Sequence, residues 1–69
     1  MKYSLVGVDG NAYSVMGYTS RALRREGFGK DVIDKMHKEA MSGDYDHLVS
    51  TCMNYIDMAN ESAERNGET

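Results

Sequence analysis

Apolar residues recur at three- and four-residue spacing through three segments of this chain, and that helical period most constrains its fold. The glycine-containing breaks between the segments predict three helices, over about residues 12–26, 30–41 and 45–60, and a frayed tail over about 61–69. The third segment has the clearest pattern, i, i+3, i+4, i+7, which is typical of one buried helix face. Its apolar positions are Tyr45, Leu48, Val49, Cys52, Tyr55, Ile56 and Ala59.

The residues before the first helix predict a short strand. Residues 2–8 carry apolar side chains on both faces, as a short β-strand does. Asp9-Gly10-Asn11 follows, a sequence that suits either a hairpin turn or the start of a helix. The helical period after Asn11 favours a helix start, with Asp9 or Asn11 as its N-cap. The predicted fold class is therefore α+β, mostly α: one short N-terminal strand followed by three helices.

A single strand creates a problem that the chain itself does not solve. Its backbone N–H and C=O groups need partners, and no second strand is predicted. Pairing with the same strand of another subunit satisfies these groups and enlarges a small core, so we expect a homo-oligomer. The alternative is an N-terminal extension that lies over the helices.

Length, charge and cysteine content exclude several classes. The 69 residues predict one domain, and the single cysteine excludes an intrachain disulfide and suits a reducing cytoplasm. We see no secretory signal and no apolar run long enough to span a bilayer. The net charge of −3 disfavours binding to duplex nucleic acid. Six of the eight basic residues nevertheless lie between Arg21 and Lys38, and such a local basic surface suits a small anionic ligand.

Within this basic region, Tyr18, Arg21 and Arg25 are spaced three and four residues apart and share one face of the first predicted helix. Two arginines can hold a phosphate through paired hydrogen bonds, and a tyrosine ring can stack on a base. The alternative is an ordinary solvent-facing surface of Arg–Glu pairs. Gly17 lies inside the same helix at a cost of about 1 kcal/mol relative to alanine, which indicates close approach of another helix or of a ligand.

The helix start around Asp9, Gly10 and Asn11 is the second candidate for an anion site. Backbone N–H groups point outward at the positive end of a helix, and Gly10 lets a ligand approach the backbone closely. The Asn11 amide is able to read a base edge or a ribose. Helix capping without any ligand explains the same residues.

We expect neither an enzyme nor a bound metal or cofactor. Asp44, Asp46 and His47 are the closest approach to a metal or acid–base cluster, but Asp44 is better explained as an N-cap, with His47 returning a contact three residues later. Cys52 falls on an apolar helix face and is interpreted as a core residue.

Three motifs together resemble a known family. The segments VGVDGNAY at Val6–Tyr13, ALR at Ala22–Arg24 and SGDYDHL at Ser42–Leu48 resemble very short proteins of phages and bacterial mobile elements. That family is similar to phage anti-CBASS sponges, which sequester the cyclic-nucleotide signals of bacterial immunity. The resemblance implies an oligomer in the host bacterial cytoplasm that binds a cyclic di- or trinucleotide without cleaving it.

On this hypothesis both candidate sites bind the ligand, either as one site or as two. The helix start would cradle phosphate, the arginines would neutralise it, tyrosine rings would stack on the bases, and His47 would add a hydrogen bond. The expected ligand-binding residues are Asp9, Gly10, Asn11, Tyr13, Tyr18, Arg21, Arg25, Tyr45 and His47. The alternative function is a small phage or mobile-element inhibitor or adaptor that binds a host protein, in which the same motifs are folding signals.

Overall fold

The computed structural model describes residues 1–67 and consists of an N-terminal segment followed by three helices. The helices are α1 (Ala12–Arg25), α2 (Lys30–Ala40) and α3 (Tyr45–Arg65). All three pack against one another around a single apolar core. Its fully buried centre is formed by Leu23, Met36, Ala40, Cys52, Ala59 and Ala63.

The segment Asp9-Gly10-Asn11 is the start of a helix and not a hairpin turn. Asn11 has extended backbone angles and is the N-cap of α1. Its side-chain oxygen accepts a hydrogen bond from the Tyr13 N–H at 2.8 Å, which satisfies one of the free donors at the helix start.

The end of α1 has the capping geometry expected from Gly27. This glycine has a φ of +89°, in the left-handed region that glycine adopts without strain. The Gly27 N–H donates to the Arg24 carbonyl and the Phe28 N–H to the Leu23 carbonyl, both at 3.0 Å. These two bonds form a Schellman motif, which turns the chain sharply toward α2.

The prediction of an N-terminal strand is wrong, because residues 1–67 contain three helices and no strand. The Val8 N–H donates to the Leu5 carbonyl at 3.1 Å, and Gly7 between them has a φ of +84°. A turn with a left-handed glycine at its third position therefore interrupts the predicted strand. The alternative, an N-terminal extension over the helices, is the structure observed.

Hydrogen bonds expected from a second subunit are made within the chain. The Tyr3 N–H donates to Asn60 Oδ1 at 2.7 Å, and Asn60 Nδ2 donates to the Tyr3 carbonyl at 2.9 Å. The Ser4 N–H donates to the Tyr18 hydroxyl oxygen at 3.0 Å. These bonds remove the reason for a strand paired between subunits.

Helix α3 continues to Arg65, beyond the end predicted near residue 60. Asn60 and Ala63 are both buried, so the last turns of α3 pack against the protein instead of fraying. Residues 68 and 69, which belong to the predicted tail, lie outside the described residues. Within residues 1–67, no helix has the length and apolar character needed to cross a membrane.

Candidate anion-binding site

A groove of about 290 Å³ lies between the N-terminal segment and α1, and we call it the first groove. It contains three of the residues that the sequence predicted to bind an anion, all from one face of α1. The groove is lined by Lys2, Tyr3, Tyr18, Arg21, Ala22 and Arg25.

Arg21 and Arg25 give this groove its positive charge. Both side chains are exposed, and neither forms an ion pair with any residue that the structure describes. The alternative of a surface of Arg–Glu pairs therefore does not describe them. Their guanidinium groups are available to an anion from solvent.

Tyr18 contributes a polar group whose orientation is fixed. Its ring is half-buried, and its hydroxyl oxygen accepts the Ser4 N–H at 3.0 Å. The hydroxyl hydrogen has no acceptor among residues 1–67, so it can be donated to a ligand in the groove.

A buried carboxylate is bonded to two of the residues that line the groove, Tyr3 and Lys2. The Glu26 side chain is 1% exposed, accepts a hydrogen bond from the Tyr3 hydroxyl and lies 3.8 Å from Lys2 Nζ. Burial raises the pKa of Tyr3, and the hydrogen bond to Glu26 raises it further. Because Glu26 does not line the groove, the groove presents no carboxylate to a ligand.

The residues of the helix start lie elsewhere and are held by bonds of their own. Asp9 Oδ1 accepts the Asn11 N–H at 3.4 Å, and the Tyr45 hydroxyl donates to the Gly10 carbonyl at 2.5 Å. Asp9, Gly10 and Asn11 do not line the first groove. A helix rises 1.5 Å per residue, so Arg25 is about 20 Å along α1 from its N-cap, Asn11. The structure therefore does not combine the two predicted sites into one.

Tyr13 and Tyr45, the other predicted stacking residues, are 74% and 47% exposed and belong to the helix-start end of the molecule. They lie outside the first groove. Of the three predicted stacking tyrosines, only Tyr18 lies beside the arginines.

His47 lies in the first turn of α3 and contacts the last turn of α2. Its Nε2 lies 2.8 Å from the Glu39 carbonyl oxygen, which can only accept, so this nitrogen donates. The His47 N–H in turn donates to Asp44 Oδ1 at 2.9 Å, which makes Asp44 the N-cap of α3. His47 thus ties the last turn of α2 to the first turn of α3, and it does not line the first groove.

A second groove, of about 560 Å³, lies between α1 and α2 and is not among the sites predicted from the sequence. It shares Arg21 with the first groove. A signal for it was present in the sequence, since Gly17, Arg21 and Arg24 follow helical spacing. The groove is lined by Gly17, Ser20, Arg21, Arg24, Phe28, Lys30, Ile33, Asp34 and His37.

Within residues 1–67, no three histidine, cysteine, aspartate or glutamate side chains gather closely enough to hold a metal ion. Comparisons of the chain with protein-family models, with curated proteins and with solved structures give no match. The family resemblance of the motifs therefore stays a prediction, and the geometry of the grooves is the evidence that bears on function.

Proposed function

We propose that this protein binds a cyclic oligonucleotide in the first groove and sequesters it in the cytoplasm without cleaving it. One observation carries the proposal: Tyr18, Arg21 and Arg25 line one groove, and both guanidinium groups lack a carboxylate partner within residues 1–67. A phosphate ester supplies the missing negative charge. The motif resemblance to phage sponges supports the same class of ligand.

The cost of leaving the two arginines unpaired supports a ligand role. Arg21 and Arg25 are four residues apart on α1, and like charges at this spacing destabilise a helix by about 0.2–0.5 kcal/mol. A bound phosphate converts that repulsion into two charge-assisted contacts. The Tyr18 hydroxyl adds a donor at a fixed position, and its ring adds an apolar surface for a base.

The proposal keeps only part of the predicted site. It retains Tyr18, Arg21 and Arg25 and leaves out the helix-start residues, Tyr13, Tyr45 and His47. Those residues lie outside the first groove, and several are already bonded in capping or linking contacts.

A thermal-shift panel tests this proposal. Purified protein is heated with cyclic dinucleotides, cyclic trinucleotides and linear mononucleotides in parallel. A ligand at a hundred times its Kd stabilises the folded chain by about 2.7 kcal/mol, which raises the Tm of a domain of this size by about 10–20 °C. We expect such a shift with one cyclic compound, and the compound should be recovered intact after heating.

Two variants locate the binding. Arg21→Gln should abolish the shift, because it removes a guanidinium from the groove. Lys35→Gln removes one positive charge from an exposed position that lines neither groove, and it should leave the shift unchanged. A flat panel for ligand-free protein, or equal effects of the two variants, would overturn the proposal.

An apolar groove favours the alternative function, a protein-binding inhibitor or adaptor. This groove of about 410 Å³ lies between the N-terminal segment and α3. Met1, Val6 and Met53 line it and are 84%, 91% and 54% exposed. Asp57 also lines it and has no ion pair in the described chain. The partner that fits is a protein segment with apolar side chains beside a basic one.

The two functions differ in which variant disables them. Met53→Ser should abolish capture of such a protein partner and leave the nucleotide shift intact, whereas Arg21→Gln should do the opposite. If Met53→Ser disables the protein and Arg21→Gln does not, the protein is an adaptor.

A further inference from the structure

The second groove carries positive charge that the proposed function does not use. Arg24 lines this groove and not the first, whereas Arg21 lines both. Neither arginine has an ion-pair partner among residues 1–67. Among the same residues, the one carboxylate that lines the groove belongs to Asp34, and it is paired with Lys30 at 3.2 Å. The groove therefore has two positive charges available to an anion.

The Arg21 guanidinium lies over Gly17. A Cβ built on this glycine would meet only one atom outside its chain neighbours and the local helix backbone, Arg21 Nη1 at 3.6 Å. No other helix contacts this position, so helix packing does not explain the glycine. Because Gly17 lines the second groove and not the first, the Arg21 guanidinium lies along the second groove.

Arg24 belongs to the same face of α1, one turn after Ser20. Long side chains on a helix lean toward its N-terminus, as that of Arg21 does, so we expect Arg24 to extend toward Ser20. The two guanidinium groups then lie along one wall of the groove. Two arginines on one wall hold phosphate oxygens through charge-assisted hydrogen bonds.

The α1–α2 side of the groove contains a polar pair. Ser20 Oγ lies 2.8 Å from His37 Nε2, and this is the hydrogen bond that the Ser20 side chain forms within residues 1–67. Ser20 is buried and His37 is half-buried. When Nε2 carries the hydrogen it donates to Ser20 Oγ, and the serine hydroxyl hydrogen is then free for a ligand. An anion in the groove favours that tautomer.

The groove also has an apolar part and room for more than an inorganic ion. Ile33 is buried, Phe28 is half-buried, and both line it. Its volume of about 560 Å³ falls among those of small-molecule sites, about 300–1,000 Å³. A group attached to the bound anion therefore has space beside an apolar surface.

We propose that the second groove binds a small phosphate monoester, a ligand different from the one in the first groove. A terminal phosphate carries a charge of about −1.5 to −2 at neutral pH, which matches Arg21 and Arg24 together. The Ser20 hydroxyl donates to one phosphate oxygen, and Phe28 contacts the attached group. A phosphodiester has only one charge per phosphate and matches two arginines less well. This inference does not depend on the proposed function.

An NMR titration with phenyl phosphate tests this site. Isotope-labelled protein is titrated at constant ionic strength, and the backbone amide signals of Ser20, Arg24 and His37 are followed. We expect saturable shifts there, with a lower Kd than that of inorganic phosphate because the phenyl ring contacts Phe28. Equal shifts with sodium chloride would overturn the site. A phosphotyrosine peptide that binds more tightly than phenyl phosphate would overturn the small-molecule ligand.

Two neighbouring arginines provide matched variants. Arg24→Gln should raise the Kd of phenyl phosphate about tenfold, the effect of losing one charge-assisted contact, whereas Arg25→Gln should leave it unchanged. Equal effects of the two variants, or no saturable shift in the parent protein, would overturn the second site and leave the proposed function standing. Phenyl phosphate binding by a protein that gives no shift with any cyclic compound would support the second site and overturn only the proposed function.

Discussion

The side-chain amide of Asn60 forms two hydrogen bonds with the backbone of Tyr3, accepting at 2.7 Å and donating at 2.9 Å. It provides the pair of bonds that a neighbouring strand provides to a residue in a sheet. Both residues are buried, so water cannot replace Asn60 as the hydrogen-bond partner of the Tyr3 backbone. Because Tyr3 lines the first groove, the Asn60 contact also fixes one wall of the candidate site.

Asn60→Ala should destabilise the protein severely. It leaves the Tyr3 N–H and carbonyl without partners, at about 1–3 kcal/mol for each buried group. A single domain of this size has a small free energy of unfolding, so we expect the variant to be partly unfolded at room temperature. Urea unfolding followed by circular dichroism measures the loss. Asn54→Ala, on the exposed face of α3, should change stability by less than about 0.5 kcal/mol, and equal losses would contradict the role of Asn60.

Gly43→Ala should disturb the link between α2 and α3. A Cβ at this position would lie 2.8 Å from Cγ of His47, closer than real side chains approach. The imidazole must then move away from the Glu39 carbonyl, and we expect a loss of about 1–3 kcal/mol of unfolding free energy.

A double-mutant cycle separates this clash from any backbone effect. In a His47→Ala background the ring contacts are removed, but the contact with the Cβ of residue 47 at 2.9 Å remains, so only part of the cost should disappear. An unchanged cost in that background would show that the His47 ring does not contribute to the clash.

Stability should fall in strongly alkaline solution. Burial raises the pKa of Tyr3 and Tyr55 above the usual 10.0, and hydrogen bonds to Glu26 and Glu39 raise it further. The pKa is therefore higher in the folded chain than in the unfolded one. The protonated phenols stabilise the fold below about pH 10, and this contribution is lost as the pH rises through the folded pKa values.

Urea unfolding at pH 9 and at pH 11 measures that loss. Tyr55→Phe lacks one of the two phenols, so its unfolding free energy should decline less between these pH values than that of the parent. An identical decline in the variant would contradict the assignment of the alkaline loss to Tyr55.

Tyr18→Phe should affect stability and binding together. It removes the acceptor of the Ser4 N–H, at a cost of about 0.5–1.5 kcal/mol, and it removes the donor that faces the first groove. Thermal unfolding with and without the cyclic compound that gives the largest shift in the panel measures both effects. Tyr13→Phe changes an exposed phenol outside the groove and should change neither quantity.

The helices were predictable because their signals are local. The i, i+3, i+4 period, the Asn11 cap and the left-handed Gly27 each depend on residues within a few positions of one another. The end of α3 lies later than predicted because the polar residues 61–69 suggest a solvent-exposed tail. Ala63, four residues after Ala59 on the same apolar face, is buried and was the available signal.

The N-terminal segment was not predictable from local pattern. Apolar residues on both faces suit a strand, but the backbone partner of Tyr3 is a side chain 57 positions away. Similarly, the spacing of Tyr18, Arg21 and Arg25 placed them correctly on one face, whereas the second groove needs α2 to be docked beside α1. Tertiary packing, and not propensity, determines both features.

An NMR titration tests whether a cyclic nucleotide binds on α1. Isotope-labelled protein is titrated with the cyclic dinucleotide or trinucleotide that gives the largest thermal shift, and backbone amide signals are followed to saturation. We expect saturable shifts concentrated between Gly17 and Arg25, with unchanged ligand recovered afterwards. The absence of shifts at saturating ligand, or shifts confined to residues around Val6 and Met53, would contradict it.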